Sequence, residues 1–216
     1  MSLITLKDVK KVYGKNQVLF ENLSLEIEKG EFVGLVGRSG AGKTTLLNII
    51  GLITDISAGT ITIDGHQNVS MNSKDAMILR RYTIGYLFQN YGLIEDESLL
   101  WNLKLALEYK KIKKKEKLKL IDKYLKQFEL TDMLDKKVYQ LSGGEQQRIA
   151  IIKLILQGSR IILADEPTSG LDKENESIVM KLLKELNENG ITIIMVTHNM
   201  NLLDCFSRVI NVENFR

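Results

Sequence analysis

The sequence contains a single cysteine, Cys205, and this scarcity excludes two kinds of site. One thiol cannot form a disulfide framework within the chain, and it cannot supply a cluster of cysteine metal ligands. No apolar run approaches the roughly 18 residues that a membrane-spanning helix needs. The N-terminal residues MSLITLKDVK carry charges and lack the apolar core of a signal peptide. We therefore expect an intracellular chain without a membrane span of its own.

The charge is also too evenly balanced to indicate a nucleic-acid partner. The chain has 30 Lys and Arg residues and 27 Asp and Glu residues, which gives a net charge of +3. The hydrophobic fraction of 44% and the charged fraction of 26% are typical of a folded globular domain. No low-complexity tract or internal repeat interrupts the 216 residues. We expect one or two folded domains and no binding to nucleic acid.

Short apolar runs and helical spacings give the expected order of elements. Strands are predicted at 3–11, 23–27, 32–36, 60–63, 161–164, 191–196 and 209–212, and helical spacing extends over 98–134, 141–157 and 177–189. Alternating strands and helices indicate a parallel sheet that is covered on both faces. The lysine-rich run from Lys110 to Lys119 favours a solvated helix face over a specific anionic partner. Trp101 and Cys205 are interpreted as packing residues.

The segment 37–44, GRSGAGKT, fits the phosphate-binding pattern G-x-x-x-x-G-K-[ST]. It follows a predicted buried strand and precedes an apolar helix, which is the context that this motif requires. Glycines let backbone N–H groups approach phosphate oxygens, and the positive end of the helix points at the anion. We expect ATP here, with a lysine charge on the outer phosphates and a hydroxyl on Mg²⁺. The expected ligands are Gly37, Arg38, Ser39, Gly40, Ala41, Gly42, Lys43, Thr44 and Thr45, with Thr44 on the metal.

Two adjacent carboxylates, Asp165 and Glu166, stand at the end of the apolar run IILA. Ligands of parallel sheets gather at the carboxyl ends of the strands, so these side chains are expected beside the phosphate loop. Asp165 is then placed near Mg²⁺. Glu166 is placed to act as the general base that polarises the attacking water.

A second glycine-led helix start occurs at 141–148, LSGGEQQR, where a serine and two glycines precede helical spacing. Such a start is also an anion-binding helix N-terminus. This stretch resembles the signature motif of the ATP-binding cassette (ABC) proteins at all eight positions. The resemblance implies that Ser142, Gly143, Gly144 and Glu145 cap the γ-phosphate of ATP held by a second copy of the chain.

Four further positions match motifs of the same family, in the family's order along the chain. Gln89 matches the Q-loop glutamine that reaches Mg²⁺ and the attacking water. Asp172, in the sequence SGLD, matches the D-loop that lies across the dimer interface. His198 matches the switch histidine at the γ-phosphate, and Tyr13 matches the aromatic residue that stacks on adenine. With Glu166 and Lys43, Gln89 and His198 are the expected catalytic residues.

The resemblance implies an α/β fold, namely a P-loop NTPase (RecA-like) core with an N-terminal antiparallel β subdomain and an inserted α-helical subdomain. The core and β subdomain would occupy 1–89 and 159–216, and the helical subdomain 90–158. The implied partner is an integral-membrane permease, which would hold the chain at the cytoplasmic face of the membrane.

The stretches 85–94, GYLFQNYGLI, and 98–107, SLLWNLKLAL, resemble the small bacterial cassettes of lipoprotein release, macrolide export and antimicrobial-peptide export. This resemblance favours export of a peptide or bacteriocin, a lipoprotein or a drug-like substrate. A regulatory cassette that signals without moving cargo is the alternative. A chromosome or DNA-repair ATPase would need a long coiled coil between the phosphate loop and the signature, and this chain has no room for one.

Overall fold

The computed structural model, which describes residues 2–14 and 17–215, contains one antiparallel and one parallel sheet. The strands are β1 (Ser2–Tyr13), β2 (Gln17–Glu28), β3 (Phe32–Val36), β4 (Ala58–Ile63), β5 (His66–Gln67), β6 (Ile84–Leu87), β7 (Ile161–Asp165), β8 (Thr192–Val196) and β9 (Arg208–Asn211). The antiparallel sheet has the order β2-β1-β4-β5, and the parallel sheet has the order β6-β7-β8-β3-β9.

Among the described residues, six α-helices connect or cover these strands. They are α1 (Lys43–Ile50), α2 (Lys74–Tyr82), α3 (Leu99–Ala106), α4 (Lys114–Gln127), α5 (Gly143–Gln157) and α6 (Lys173–Glu188). Short 3-10 turns lie at Thr131–Met133, Val138–Gln140, Met200–Cys205 and Val212–Phe215. Within the described ranges, no helix has both the length and the apolar character needed to cross a membrane.

The parallel sheet is covered on both faces, as its apolar strands predict. Along β7, Ile161 and Leu163 pack into a core with the antiparallel sheet and α1. The alternate residues Ile162 and Ala164 pack into a second core with the helices of the 99–156 region. Side chains that alternate between two cores explain why this strand is apolar at every position before Asp165.

The topology brings the segments that follow β3, β6, β7 and β8 to one edge, because parallel strands share their carboxyl ends. Gly37 follows β3, Asp165 ends β7 and His198 follows β8. Gln89 follows β6, the outermost strand on that side. The fold therefore places the residues of four separate predicted motifs along the same edge of the sheet.

The helical spacing over 98–134 does not form one helix. It contains α3, an irregular stretch around Ile112, α4 and a 3-10 turn, although no glycine or proline breaks it. One helix over those residues would be about 55 Å long. The chain instead turns after Leu107, which is fully buried, so that Ile121 and Leu125 of α4 pack against the same core as α3.

Several other local predictions also need correction. Both α2 and β6 lie in a region where no helix or parallel strand was predicted, and α6 begins at Lys173 rather than at residue 177. Trp101 is 40% exposed, and Cys205 is exposed, so neither is a buried core residue. The loose alternation over 3–11 reflects shifts of β-sheet register between Leu6 and Lys11.

Candidate nucleotide site

The phosphate loop has a backbone that glycine makes possible. Gly40 and Gly42 have φ angles of 74° and 100°, which side chains rarely tolerate. A Cβ on Gly42 would lie 2.8 Å from the ring of Phe20, so close packing also demands glycine there. Gly42 is the N-cap of α1, and its carbonyl accepts the Leu46 N–H at 2.8 Å. The loop thus leads directly into a helix N-terminus, where unpaired N–H groups favour an anion.

Lys43 lies folded over this loop. Its ammonium donates to the carbonyl of Gly37 at 2.8 Å and to that of Arg38 at 2.9 Å. Burial lowers the pKa of Lys43 below its ordinary value, against the opposing influence of Glu166, Asp165 and Glu213. The cation is therefore held at the site by the loop's own oxygens, in a position suited to an incoming anion.

Thr44 and Asp165 form the pair that could hold a metal. The Thr44 hydroxyl donates to Asp165 Oδ1 at 3.1 Å, which joins the start of α1 to the end of β7. Burial raises the pKa of Asp165, and the Thr44 hydrogen bond partly offsets that effect. No group of three or more Asp, Glu, His or Cys side chains forms a metal cage within the described ranges. One hydroxyl and one carboxylate fit Mg²⁺, which commonly takes few protein ligands beside waters and phosphates.

Glu166 and His198 meet at the ends of β7 and β8. His198 Nε2 lies 2.9 Å from Glu166 Oε1. Glu166 has a φ of 49°, an uncommon value for a residue with a side chain, and its N–H donates to the Val196 carbonyl at 3.1 Å. The sequence predicted both residues at the site but gave no signal that they contact each other.

Tyr13 lies over the same opening. Its side chain is 42% exposed, its hydroxyl is 3.3 Å from Thr45 Oγ1, and the Lys11 ammonium is 4.8 Å from its ring centroid. One cavity is lined by the phosphate loop, by the residues that follow β7 and β8, and by Tyr13 and its neighbours. Its lining residues are Tyr13, Gln17, Leu19, Ser39, Gly40, Gly42, Lys43, Thr44, Thr45, Glu166 and His198. Gln89 is exposed at the same sheet edge but does not line this cavity.

The signature segment lies elsewhere on the surface, at the start of α5. Ser142 caps this helix, because its hydroxyl accepts the Glu145 N–H at 3.3 Å, and the Glu145 carboxylate accepts the Ser142 N–H at 2.7 Å. Partial burial alone would raise the pKa of Glu145, but the hydrogen bonds from Ser142 lower it overall. Neither residue lines the cavity of the phosphate loop. The two predicted anion sites of this chain are therefore separate.

Asp172 is joined to the signature segment through Asn175. The Asp172 carboxylate caps α6 and accepts both the backbone N–H and the side-chain amide of Asn175, each at 2.8 Å. A Cβ on Gly144 would lie 2.2 Å from the Asn175 side-chain oxygen, so a larger residue there would displace the Asn175 amide. Sequence reasoning did not identify Asn175, because an asparagine within a helix carries no signal of such a contact.

Two further contacts were also missed. Glu213 accepts the backbone N–H of Arg38 at 3.0 Å, so the C-terminal turn supports the phosphate loop. Lys153 of α5 donates to the carbonyl of Gly92 at 2.7 Å, and burial lowers the pKa of Lys153. This bond connects the segment that follows Gln89 to the signature helix. Neither contact has a local sequence pattern that could have indicated it.

Comparison with known proteins identifies relatives over the whole chain. The sequence profile described as ABC transporter matches residues 20–169. The macrolide export ATP-binding/permease protein MacB of Campylobacter jejuni is 41% identical over 98% of this chain, which spans about a third, 33%, of that relative. The uncharacterised ABC transporter ATP-binding protein MJ1508 of Methanocaldococcus jannaschii is 40% identical, over 98% of this chain and 96% of the relative.

Solved structures that resemble this chain come from the same family. The dimeric ATP-binding cassette MJ0796, in a post-hydrolysis state bound to ADP and Pi, has a TM-score of 0.86 at 36% identity, over 96% of this chain and 93% of that one. The cbiO1 subunit from Clostridium perfringens, part of the cbiONQ transporter complex, has a TM-score of 0.84 at 27% identity, over 98% and 86%. The predicted resemblance and the predicted fold class are both confirmed. The chain therefore belongs to the ABC transporter family, as an ATP-binding cassette that hydrolyses ATP with Mg²⁺.

Proposed function

We propose that this chain is the ATPase subunit of a membrane exporter and that it works as a head-to-tail pair with a second copy of itself. The observation that carries this proposal is the separation of its two anion sites. The phosphate-loop cavity contains Lys43 and Glu166 but none of the signature residues. A symmetric pair, in which each signature meets the partner's phosphate loop, would give both sites a use. The solved relative MJ0796 is itself a dimeric cassette.

In this proposal the phosphate loop and Lys43 bind the phosphates, while Thr44, Asp165 and Gln89 hold the metal. Mg²⁺, when bound with ATP, neutralises negative charge on the phosphate oxygens. Glu166 accepts the proton of the attacking water, and His198, 2.9 Å away, fixes the orientation of that carboxylate. Tyr13 stacks on the adenine, and Ser142 to Glu145 of the partner copy, with Asp172, complete the site. The catalytic effect comes from positioning and preorganised charge.

The membrane partner is proposed to be an integral-membrane permease that contacts the segment 91–99. This segment begins the proposed helical subdomain, 90–158, directly after the proposed core segment 1–89. Two side chains of the helical region hold it, Lys153 of α5 at Gly92 and Asn102 of α3 at Ile94. A helix of the permease placed against this segment would transmit movement to the signature helix through Lys153. The chain would then reside at the cytoplasmic face of the membrane.

The cargo is proposed to be a peptide or bacteriocin, a lipoprotein or a drug-like molecule. The relative from Campylobacter jejuni is named for macrolide export, which supports export as the direction of transport. That name gives no support to a regulatory cassette without cargo. The peptide or bacteriocin is the first substrate to test.

Transport by the assembled complex is the direct test. We expect affinity purification of this chain from its source membranes to recover a permease, and the reconstituted pair to move peptide across vesicle membranes only with ATP. The matched control is the same complex with Glu166→Gln. A permease complex that hydrolyses ATP yet moves none of the three cargo classes would contradict the export proposal.

Asn102 should determine whether the proposed permease segment keeps its shape. Its side chain is fully buried and bonds both the N–H and the carbonyl of Ile94, at 2.9 and 3.1 Å, and the carbonyl of Ser98 at 3.1 Å. Asn102→Leu removes all three bonds and leaves the Ile94 N–H without its acceptor, while the Ile94 and Ser98 carbonyls keep the backbone N–H groups of Glu97 and residue 102. We therefore expect the free energy of unfolding to fall by about 1–3 kcal/mol. Urea denaturation measures this change. Asn201→Leu, at an exposed position, is the control, and an equal loss in both variants would contradict the assignment.

A further inference from the structure

The lysines of this chain are concentrated in one short segment. Between Lys110 and Lys126 there are nine lysines and only two acidic residues, Glu116 and Asp122, which give the segment a net charge of +7. The whole chain carries +3, so the rest of it carries −4. A balanced total therefore conceals a strongly positive region within the inserted helices.

The fold arranges four of these lysines as a stripe along α4. At 3.6 residues per turn, Lys115, Lys119, Lys123 and Lys126 project from one side of the helix. Ile121 and Leu125 project from the opposite side and are buried against the helical core. The stripe is about 17 Å long, and all four lysines are exposed. We call it the lysine stripe.

Both acidic residues of the segment are already engaged. The Glu116 carboxylate accepts the backbone N–H of Lys113 at 3.0 Å at the start of α4, and Asp122 accepts the Lys126 ammonium at 2.8 Å. In the described part of the chain, Lys126 is the only lysine of the segment that has a carboxylate within 4.0 Å. The positive charge is therefore not neutralised by the chain itself.

The residue types indicate what kind of partner fits. The segment contains no arginine, although arginine is the residue suited to paired hydrogen bonds with a defined carboxylate. Flexible lysines instead supply Coulomb attraction without fixed geometry, as an anionic lipid surface requires. Exposed apolar side chains accompany them, with Tyr109 52% and Leu118 38% exposed. Arg81 adds a further positive charge, 4.3 Å from the ring of Tyr109.

We infer that the lysine stripe is an interaction surface for anionic phospholipid, which orients the cassette on the membrane beside its permease. A run that the sequence alone favours as a solvated helix face is thus given a partner. The biological role rests on the proposed membrane function. The lipid contact itself is a property of the isolated chain and can be measured without the permease.

Vesicle co-sedimentation tests the inference. We expect the chain to bind vesicles of phosphatidylcholine with about 30% phosphatidylglycerol, not vesicles of phosphatidylcholine alone, and to lose binding as salt rises from about 0.1 to 0.5 M. Because each lysine near such a surface contributes about fivefold, changing the four lysines of the stripe to glutamine should weaken binding by two to three orders of magnitude. The matched control changes four exposed lysines outside the segment, Lys7, Lys29, Lys74 and Lys184, to glutamine. It removes the same charge and should shift the affinity less than about fivefold.

Three results would overturn the inference. The first is that the unaltered chain fails to bind anionic vesicles at the lower salt. The second is that the control variant loses as much binding as the stripe variant. The third is that the chain does not bind vesicles but binds the purified permease in detergent through the lysine stripe. The stripe variant should retain the ATPase rate of the unaltered chain in solution. An unaltered chain that binds vesicles but hydrolyses no ATP would support the lipid surface and contradict the proposed transport function.

Discussion

Replacing Glu166 by glutamine is expected to lower ATP turnover by at least about a hundredfold and to leave nucleotide binding intact. An amide cannot accept a proton from the attacking water, and general bases contribute roughly 10²–10⁴ to such rates. The phosphate loop is unchanged, since Lys43 and Thr44 keep their partners at Gly37 and Asp165. ATP should therefore stay uncleaved and hold two chains together. Phosphate release measures turnover, and size-exclusion chromatography with ATP detects the dimer.

The control for this experiment is Glu188→Gln, an exposed change of the same chemistry at the end of α6. It should hydrolyse ATP at the rate of the unaltered chain. If Glu166→Gln also turns over at nearly that rate, then Glu166 is not the base. Loss of nucleotide binding in Glu166→Gln would indicate instead that the residue supports the phosphate cradle.

Two inactive variants are expected to regain activity when mixed. Ser142→Arg keeps its own phosphate loop but puts a long cation where the signature would meet the partner's nucleotide, and Lys43→Ala keeps its signature but loses the phosphate-binding charge. Each variant alone should lose at least about a hundredfold in rate. In an equimolar mixture, half of the dimers contain one chain of each variant. In each such dimer, one of the two sites combines an intact phosphate loop with an intact signature. We expect about a quarter of the unaltered rate, which an ATPase titration of the mixing ratio would measure.

Recovery in the mixture separates a shared site from a site within one chain. If each chain used its own signature, mixing would restore nothing. Ser142→Arg should bind nucleotide as a monomer, because Ser142 does not line the phosphate-loop cavity. Ser70→Arg, at an exposed loop position, is the matched control and should be active alone. Loss of monomer binding by Ser142→Arg would contradict the head-to-tail arrangement.

The sequence predicted strand β3 and the backbone of the phosphate loop better than it predicted the helices. Strand β3 was predicted with its observed bounds, because its apolar run is bounded by turns and is buried on both faces of the sheet. The phosphate loop followed from glycine positions whose backbone angles require them. In both cases the cause of the structure lies within a few consecutive residues, so local reasoning was sufficient.

Where the cause was tertiary, local reasoning failed. The break between α3 and α4 has no glycine or proline and is imposed by the burial of Leu107 and Ile121 in one core. The short helix α2 is capped by Ser73, whose hydroxyl accepts the Ala76 N–H, and that signal was not used to predict the helices. The contact between Glu166 and His198 joins residues on different strands, so only the order of strands in the sheet could reveal it.

The backbone of Glu166 has a consequence for how this chain responds to selection. A residue with a side chain at a φ of 49° stores strain of about 1–3 kcal/mol, which glycine or asparagine would relieve. A laboratory screen for heat resistance alone should therefore enrich substitutions at this position. Every clone with such a substitution would lack the proposed base. Copies of this gene whose product must stay folded but is no longer needed for transport would be under the same selection. Among drifting copies of this gene, loss of the carboxylate at residue 166 should thus be an early mark of disuse.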